Sequence, residues 1–308
     1  MVIVLGNRFA KKARSFQVLF LLSAILQILV LSDSKLGHEN QSLGLAEAMA
    51  RQRPAEIHML RFNGKGGLFA KVREIFAIRQ RVPKLDFIIT AGHATHLACL
   101  YLARRYKASS IVLMKPSLPS ACFDWCICPE HDFFGKKIPR NVITSKGALN
   151  RVIASNATRK GKLFLIGGPS KTHGWDEMGL RAEIKTIAGD EAWLVADSRR
   201  TPDGFLKSLK QMLPQLACFP HQETQQGWLA EKLATLEQVF VTEDSVSMIY
   251  EALSSGAKVG VISMPCLRPS SRIIHGLEQL RHEGYFDTKQ NLKPLAEAER
   301  CAEILLAE

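Results

Sequence analysis

Two successive series of short apolar runs, alternating with helical patterns, constrain the fold of this chain more than any other feature. The first series begins at Leu26 and the second near Gly161. Strands that alternate with helices along a chain pair in parallel, and helices then cover both faces of the sheet. The sequence therefore predicts an α/β protein of two doubly wound, Rossmann-like domains, with ligands bound at the carboxyl ends of the strands in a cleft between the halves.

The predicted elements follow from the spacing of the apolar residues, which is continuous or alternating in strands and close to 3.6 residues in helices. Strands are expected at residues 25–32, 57–60, 86–90, 111–114, 123–128, 142–143, 163–166, 193–196, 238–241 and 259–263. Helices are expected at residues 39–51, 68–76, 95–105, 178–188, 202–213, 246–255 and 271–282. The N-terminal domain then covers residues 26–155 and the C-terminal domain residues 156–308, with the boundary near 145–161.

Residues 1–25 precede the first domain and have the basic-then-apolar order of a signal peptide or signal anchor. The apolar run from Phe16 to Leu31 has 16 residues, which is short of the roughly 20 that span a bilayer. Its last residues are also needed for the first strand. We therefore expect an extension that forms a loose or membrane-lying helix, or that follows from a start codon placed too early and is not native.

The charge balance is strongly basic, with 41 Lys and Arg against 29 Asp and Glu and a net charge of +12. Such a balance favours anionic partners: nucleic acid, an acidic membrane surface or phosphorylated small molecules. Residues 51–84 hold nine of these cations and two Glu, a pattern typical of a solvated face or of a helix that contacts an anionic membrane. Nucleic acid is the poorer expectation.

Cysteine usage indicates the compartment. Seven cysteines at uneven spacing are too few for a disulfide scaffold. The group Cys122, Cys126 and Cys128 also matches no zinc-binding pattern. We therefore expect mostly buried free thiols in a reducing environment, in a protein that is cytoplasmic or peripheral on the inner membrane.

The stretch after the strand at 238–241 is the most informative candidate for a binding site. A serine there is a favoured N-cap, and the free N–H groups and dipole of the following helix favour an anion such as phosphate. A carboxylate on the second helical turn offers acceptors to two ribose hydroxyls. An ordinary capped helix has the same residues, so both interpretations stay open. The polar residues of this stretch are Glu243, Asp244, Ser245, Ser247 and Glu251.

Two further strand ends in the C-terminal half offer contacts to a diphosphate. The first is a glycine-rich loop that permits close backbone approach and supplies one cation, although tight turns use the same residues. The second places two arginines and two hydroxyls before Pro202, which is expected in the first turn of a helix. A solvated capping turn is the alternative for this second loop. The residues of the two loops are Gly167, Gly168, Ser170, Lys171, Ser198, Arg199, Arg200 and Thr201.

Polar residues follow three strands of the N-terminal half and are expected on the acceptor side of the cleft. Gly37 is expected to permit a bend, and His38 near the helix start is a candidate general base. A single histidine is more often a satisfied loop residue, so that alternative is kept. The acceptor-side candidates are Asp33, Gly37, His38, Asn40, Gln41, His93, Glu130 and His131.

Taken together, these segments closely resemble the mitochondrial fission Elm-type family, which occurs in bacteria and plants. The likeness runs from about Ile28 to about Tyr285, and Thr-Glu-Asp-Ser-Val-Ser-Met at residues 242–248 is its most specific string. Leu36 departs from the proline that the family has before Gly-His. An arginine expected near His93 is also absent, so the resemblance does not support a role for His93.

That family is similar to glycosyltransferases of the GT-B architecture, including the transferase that builds lipid-linked peptidoglycan precursors. The resemblance implies that the C-terminal domain binds a nucleoside-diphosphate sugar, with Glu251 on the ribose and Ser198, Arg199, Ser245 and Ser247 around the diphosphate. It places His38 on the acceptor side as the base. In such enzymes a helix dipole and cations stabilise the leaving diphosphate, so neither a metal nor a further cofactor is expected.

The resemblance leaves three functions open. The first is a metal-independent, inverting glycosyltransferase that takes a nucleoside-diphosphate sugar and an acceptor, the latter soluble or linked to lipid. The second is a non-catalytic adaptor with a protein partner, since plant members of the family are associated with recruiting a dynamin-type GTPase to mitochondria. The third is a sugar-nucleotide epimerase, which shares the architecture.

Overall fold

The computed structural model describes residues 25–62, 82, 84–155, 157–225, 227–290 and 293–308. The chain divides into two compact units. Unit 1 comprises the described residues up to Ile127 together with residues 139–143 and 299–308, and unit 2 comprises residues 128–138 and 144–298. The division differs from the predicted one because residues 299–308 belong to unit 1, whereas residues 128–138 and 144–155 belong to unit 2.

The first sheet has six strands in the order β2-β1-β3-β4-β5-β6. Pairing is parallel between β1 and β2, β1 and β3, β3 and β4, and β4 and β5. The chain winds outward in both directions from β1 and β3, so the topological switch point lies between these two strands. The strands are β1 Leu26–Ser32, β2 Ala55–Arg61, β3 Phe87–Ala91, β4 Ser109–Leu113, β5 Trp125–Pro129 and β6 Val142–Ser145.

The second sheet has five strands in the order β11-β10-β7-β8-β9, and each neighbouring pair is parallel. Its switch point lies between β7 and β10, which are adjacent in space but separated along the chain. The strands are β7 Lys162–Leu165, β8 Leu194–Ala196, β9 Ala217–Phe219, β10 Gln238–Thr242 and β11 Lys258–Ile262. The prediction of two doubly wound α/β units is therefore confirmed.

Helices connect and flank the strands of both sheets. Among the described residues of unit 1 they are α1 Leu36–Gln52 and α2 His96–Tyr106. Those of unit 2 are α3 Glu177–Ala188, α4 Phe205–Met212, α5 Trp228–Leu233, α6 Val246–Ser255 and α7 Arg272–His282. The last helix is α8 Glu297–Ala307.

Strand burial explains why the sequence folds in this way. In β1 the run Ile28–Leu31 is fully buried, as expected for a central strand with helices on both faces. Each such side chain contributes about 1.5–3 kcal/mol relative to leaving it in water. In unit 2, Phe164 of β7 is fully buried and stacks on Trp193 with ring centroids 4.3 Å apart. The buried central strands therefore fix the positions of the strand ends, where the polar loops begin.

Three elements of the described structure were not predicted from the sequence, because their apolar patterns are short or lie near the end of the chain. They are β9, α5 and α8. The predicted helix at 68–76, residues 1–24 of the predicted extension and much of the basic stretch 51–84 lie outside the described residues. Within the described ranges no helix combines the length and hydropathy needed to cross a bilayer.

The seven cysteines are all free thiols, and most are buried as expected. Burial raises the pKa of Cys99 and of Cys126 to about 12. Cys122 in unit 1 and Cys266 in unit 2 are exposed. The thiols of the chain therefore differ widely in their access to solvent.

Candidate functional site

At the switch point of the first sheet, Asp33 and His38 form a hydrogen-bonded pair. Asp33 follows β1, and His38 lies on the first turn of α1. Nδ1 of His38 is 3.0 Å from both carboxylate oxygens of Asp33. The side chain of Asp33 is 7% exposed and that of His38 is 30% exposed. A histidine that donates its Nδ1 proton to a carboxylate keeps Nε2 available as an acceptor. The pair therefore has the geometry of a general base.

The ionised form of Asp33 is favoured by its neighbours. Burial raises the pKa of Asp33, but the hydrogen bond and charge of His38, together with hydrogen bonds from Lys35, outweigh burial and bring the pKa below its usual value of 3.8. The Lys35 ammonium lies 3.3 Å from Oδ2 of Asp33. The carboxylate that orients His38 is therefore charged at neutral pH.

Gly92 lies directly against this pair. It follows β3 with φ 93° and ψ 142°, a backbone conformation that essentially only glycine adopts. A Cβ at this position would be 2.6 Å from Nδ1 of His38 and 2.7 Å from Oδ2 of Asp33. In the Ala91-Gly92-His93 segment it is thus the glycine that contacts the pair. His93 is exposed, with its ring edge-on to His96 at 5.6 Å between centroids.

A second carboxylate network supports the start of α1. Glu39 accepts hydrogen bonds from Ser32 Oγ at 2.6 Å and from Arg61 Nε at 2.7 Å. The hydrogen bond from Arg61 is the main reason that the pKa of Glu39 is lowered, against the effect of burial. This network ties α1 to the end of β1 and to β2, and so fixes the helix that holds His38.

The bend before α1 is made by a different residue from the one predicted. Gly37 lies inside α1, and a Cβ there would meet nothing within 4 Å. The positive φ of 63° is instead at Ser34, whose N–H donates to Ser32 Oγ at 2.8 Å. The prediction that Gly37 permits the bend is therefore wrong. Asn40 and Gln41 are half-buried on α1.

Glu130 and His131 follow β5 and pack against α7 within unit 2. His131 lies beside Gly276, where a Cβ would be 2.8 Å from its Nδ1. Burial is the main cause of the lowered pKa of His131. Glu130 accepts a hydrogen bond from Gln279 at 3.3 Å. These two residues therefore belong to unit 2, whereas Asp33 and His38 belong to unit 1.

At the switch point of the second sheet, the carboxylate of Asp244 joins three strand-end loops. Its side chain is fully buried. Oδ2 accepts hydrogen bonds from Gly168 N at 2.9 Å and Ser245 Oγ at 3.1 Å, and lies 2.7 Å from Arg200 Nη2. The Arg200 side chain is 41% exposed, so solvent screens this ion pair, but the buried carboxylate still depends on its three contacts to compensate its charge. Asp244 therefore fixes the carboxyl ends of β7, β8 and β10 relative to each other.

The two glycines after β7 make room for this network. A Cβ on Gly167 would be 2.1 Å from Ser245 Oγ, and one on Gly168 would be 1.9 Å from the carbonyl oxygen of Arg200. Both residues are buried. The protein's own side chains and backbone therefore fill the space that a Cβ would need, and a contact between these glycines and a ligand stays a prediction.

The two arginines after β8 differ in their contacts. The Arg200 guanidinium donates to the carbonyl oxygen of Gly168 at 2.7 Å and to Ser245 Oγ at 3.0 Å. Its N–H donors are therefore used in the network around Asp244. Arg199 is exposed, and no side chain among the described residues pairs with it. The prediction of Pro202 in the first turn of a helix is also wrong, since α4 begins at Phe205. A hydrogen-bonded turn precedes α4 instead.

That turn is held by its two hydroxyl residues. Thr201 Oγ1 donates to the carbonyl oxygens of Ile166 and Gly167, at 3.1 and 2.5 Å. The N–H of Ser198 donates to Thr201 Oγ1 at 3.0 Å. Thr201 is buried, and Ser198 is half-buried. The hydroxyl of Thr201 therefore connects the loop after β8 to the end of β7.

The amino end of α6 lies at the same switch point. Ser245 occupies the N-cap position as predicted, but its side chain makes no capping hydrogen bond because it bonds Asp244 and Arg200 instead. The N–H groups of the first turn therefore donate no hydrogen bond to the N-cap side chain and retain their attraction for anions. Ser247 is exposed on this turn, and Glu251 is half-buried on the next.

Glu243 and the loop after β7 form a third cluster of polar groups. Oε1 of Glu243 accepts a hydrogen bond from Arg281 at 3.1 Å, and Oε2 lies 3.8 Å from Nε2 of the fully buried His173. Ser170 Oγ accepts the N–H of His173 at 3.0 Å, which closes the loop. Lys171 is exposed at its tip.

A second Asp–His pair, at the ends of β8 and β9, was not predicted from the sequence. Asp197 Oδ1 lies 2.6 Å from the backbone nitrogen of His221 and 3.1 Å from its Nδ1. The side chains are 14% and 28% exposed. The signal was weak because His221 follows a strand of three residues, too short for its pattern to be recognised.

No group of three or more His, Cys, Asp or Glu residues within the described ranges is arranged to hold a metal ion.

Comparisons with known structures show what fold this chain has. A UDP-GlcNAc 2-epimerase from Methanocaldococcus jannaschii superposes with a TM-score of 0.55 at 12% identity, over 92% of this chain and 100% of that one. A Listeria monocytogenes protein described as a UDP-N-acetylglucosamine 2-epimerase gives 0.57 at 10% identity, over 92% and 95%. The Staphylococcus aureus protein MnaA, in complex with UDP, gives 0.50 at 11% identity, over 92% and 95%. At such identities the likeness shows the fold, which is of the GT-B type.

Sequence comparison is more specific than the comparison of folds. An uncharacterized protein of Rickettsia prowazekii is 24% identical over 91% of this chain and 98% of its own length. The family model for mitochondrial fission ELM1 matches residues 36–308. That range includes α1 with His38 and all of the strand-end loops of unit 2. This chain therefore belongs to the mitochondrial fission ELM1 family.

Proposed function

We propose that this protein is a glycosyltransferase that uses a nucleoside-diphosphate sugar, with the donor bound by unit 2. The observation that carries the proposal is the amino end of α6. It lies at the switch point of a parallel sheet, the usual place for a ligand in such folds. Its first-turn N–H groups are free of the N-cap side chain, because Ser245 is held by Asp244 and Arg200. Such a helix end favours a phosphate.

The surrounding side chains suit the rest of a nucleoside diphosphate. Arg199 is the exposed cation next to the network and is proposed to contact a phosphate, whereas Arg200 acts by fixing Asp244 and the loops. Ser247 offers a hydroxyl on the first turn of α6. Glu251, one turn further, is proposed to accept hydrogen bonds from the ribose hydroxyls. Lys171 is proposed to add positive charge at the tip of the loop after β7.

His38 is proposed to act as the general base of the transfer. Its Nε2 takes the proton from an acceptor hydroxyl while Asp33 holds Nδ1. The hydroxyl oxygen then forms a bond to the anomeric carbon, and the bond from that carbon to the phosphate oxygen breaks. The nucleoside diphosphate leaves with the electron pair, its charge stabilised by the helix dipole and Arg199. One displacement of this kind inverts the anomeric configuration, and it is proposed to need no metal or further cofactor.

Calorimetry with nucleoside diphosphates tests the donor site. UDP is the first choice because the S. aureus protein of the same fold was solved with it, and ADP, GDP and CDP complete the panel. Glu251→Ala is expected to weaken binding by about 1–3 kcal/mol through loss of a charged hydrogen-bond partner. Glu231→Ala, which removes an exposed carboxylate from α5, is the matched control and is expected to leave affinity unchanged. Failure of every nucleotide to bind would contradict the proposal.

Product analysis separates the transferase from the two alternatives. An epimerase converts the sugar nucleotide into its isomer without an acceptor. An adaptor gives no turnover across a panel of sugar nucleotides and retains a stable protein partner in a pull-down. Release of nucleoside diphosphate that depends on an added acceptor supports the transferase. A lipid-linked acceptor, an anionic membrane surface and a peripheral location at the inner membrane are proposals that belong with this function.

A further inference from the structure

A short turn in unit 2 exposes an aromatic side chain at its tip. The N–H of Lys136 donates to the carbonyl oxygen of Phe133 at 2.8 Å, which closes the turn. Gly135 takes the left-handed conformation that the turn requires, with φ 67°. Phe134 precedes the glycine and is 84% exposed. A single exposed phenyl ring is common in proteins, so its meaning depends on the groups around it.

The turn is anchored firmly at its amino end. Asp132 is buried and accepts a hydrogen bond from Arg272 of α7 at 2.5 Å. The Phe134 ring also stacks on His275 of the same helix, with centroids 6.2 Å apart and an angle of 4° between the planes. Phe134 is therefore held outward by defined contacts.

The flanking charges are positive. Lys136 and Lys137 are both exposed, and no carboxylate among the described residues pairs with either of them. Ile138 follows and is 47% exposed. The nearby acidic groups are engaged elsewhere: Asp132 with Arg272, Glu130 with Gln279, and Glu278 with His275. The turn thus presents two apolar side chains beside two ammonium groups without a paired anion.

We propose that the turn at residues 133–138 docks onto an anionic lipid surface. Phe134 and Ile138 enter the boundary between headgroups and acyl chains, and Lys136 and Lys137 contact lipid phosphates. A protein partner is the less favoured occupant because a stable interface buries about 800 Å² on each side, more than two apolar side chains on one turn provide. This inference deepens the proposed function by naming the surface for the anionic membrane contact proposed there, and vesicle binding is measured without turnover, so the two proposals fail separately.

Vesicle sedimentation with the full chain tests the proposal. The probes are phosphatidylcholine vesicles with and without phosphatidylglycerol. We expect the protein to bind the anionic vesicles, and binding to weaken with salt. Lys136→Gln combined with Lys137→Gln is expected to lower the partition coefficient about 25-fold, from roughly fivefold for each lysine near the surface. Phe134→Ser is expected to lower it about tenfold.

Matched variants keep the test specific. Lys185→Gln with Lys207→Gln removes the same charge from exposed, unpaired positions on α3 and α4, and Met178→Ser removes a side chain that is 83% exposed. These variants are expected to bind like the unaltered protein. The proposal is overturned if the full chain does not bind anionic vesicles, or if both lysine pairs have equal effects. It is also overturned if the turn variants bind vesicles normally but lose affinity for a protein partner captured in a pull-down. Thermal unfolding confirms that each variant is folded.

Discussion

The two Asp–His pairs of this protein are built from the same groups but are placed differently. Asp33 and His38 lie at the switch point of the first sheet, with both carboxylate oxygens 3.0 Å from Nδ1. Asp197 and His221 lie at the ends of β8 and β9, away from the switch point, and Asp197 Oδ1 bonds the backbone N–H as well as the ring of His221. The second pair therefore fixes a loop, whereas the first orients an imidazole. The same pair of side chains therefore has different roles in the two sheets, because the fold places the two pairs at different strand ends.

The largest expected effect concerns catalysis. His38→Gln is expected to lower turnover by about 10²–10⁴-fold, since it removes the general base, and to leave nucleotide affinity unchanged. His221→Gln is expected to change turnover by less than about fivefold, because its pair only holds a loop. The measurement is the steady-state release of nucleoside diphosphate from the donor that calorimetry identifies. Equal losses in the two variants would remove the distinction between the pairs.

The next effect concerns stability. Gly92→Ala is expected to destabilise the protein by about 3 kcal/mol, because its Cβ overlaps Asp33 and His38 and its backbone is strained at positive φ. Gly204→Ala is the control: φ is 80° there, but a Cβ meets nothing within 4 Å, so about 1 kcal/mol of backbone strain is expected. Urea unfolding of both variants measures the difference. Similar losses would show that Gly92 acts through backbone conformation alone.

The smallest effect is a pH dependence. The folded-state pKa of Asp33 lies below its usual value of 3.8, so the stabilisation that it provides is complete above that value and is lost as the pH falls through the lowered pKa. The difference in unfolding free energy between the unaltered protein and Asp33→Asn is therefore expected to be constant near neutral pH and to shrink in acid below 3.8. A difference that stays constant in acid would contradict the prediction. Asp197→Asn, measured in parallel, extends the comparison to the second pair.

The sheets were predictable because their signal is local. Central strands such as β1 and β10 are continuous apolar runs, and turn residues bound them, so their existence follows from burial on both faces. Strand β9 has three residues, and a pattern of that length is ambiguous. Strand β8 also has three, but the buried Trp193 directly before it lengthens its apolar run. Helix α8 was missed although its apolar residues have helical spacing, because no strand follows it to mark a further unit.

The site was predictable in position but not in detail. Polar strand ends indicated that Asp33, His38 and Asp244 lie at the carboxyl ends of strands, since parallel strands end at a common edge, and that placement is confirmed. The binding and catalytic roles of these residues stay predictions. Which neighbour occupies each contact depends on residues distant along the chain. Gly168 is separated from Asp244 by 76 positions, so the sequence alone does not show that a carboxylate and Arg200 fill the space that the glycines leave. The role of Gly92 likewise depends on a contact across two strands.

The contrast among the thiols has a practical consequence for following this protein in solution. A maleimide dye reacts with thiolate, so Cys99 and Cys126, with pKa values raised to about 12, are unreactive at neutral pH while the chain stays folded. Cys122 and Cys266 are open to solvent, one in each unit. The native sequence thus already holds a pair of labelling positions from which energy transfer reports the distance between the units, with and without nucleotide, before any residue is replaced.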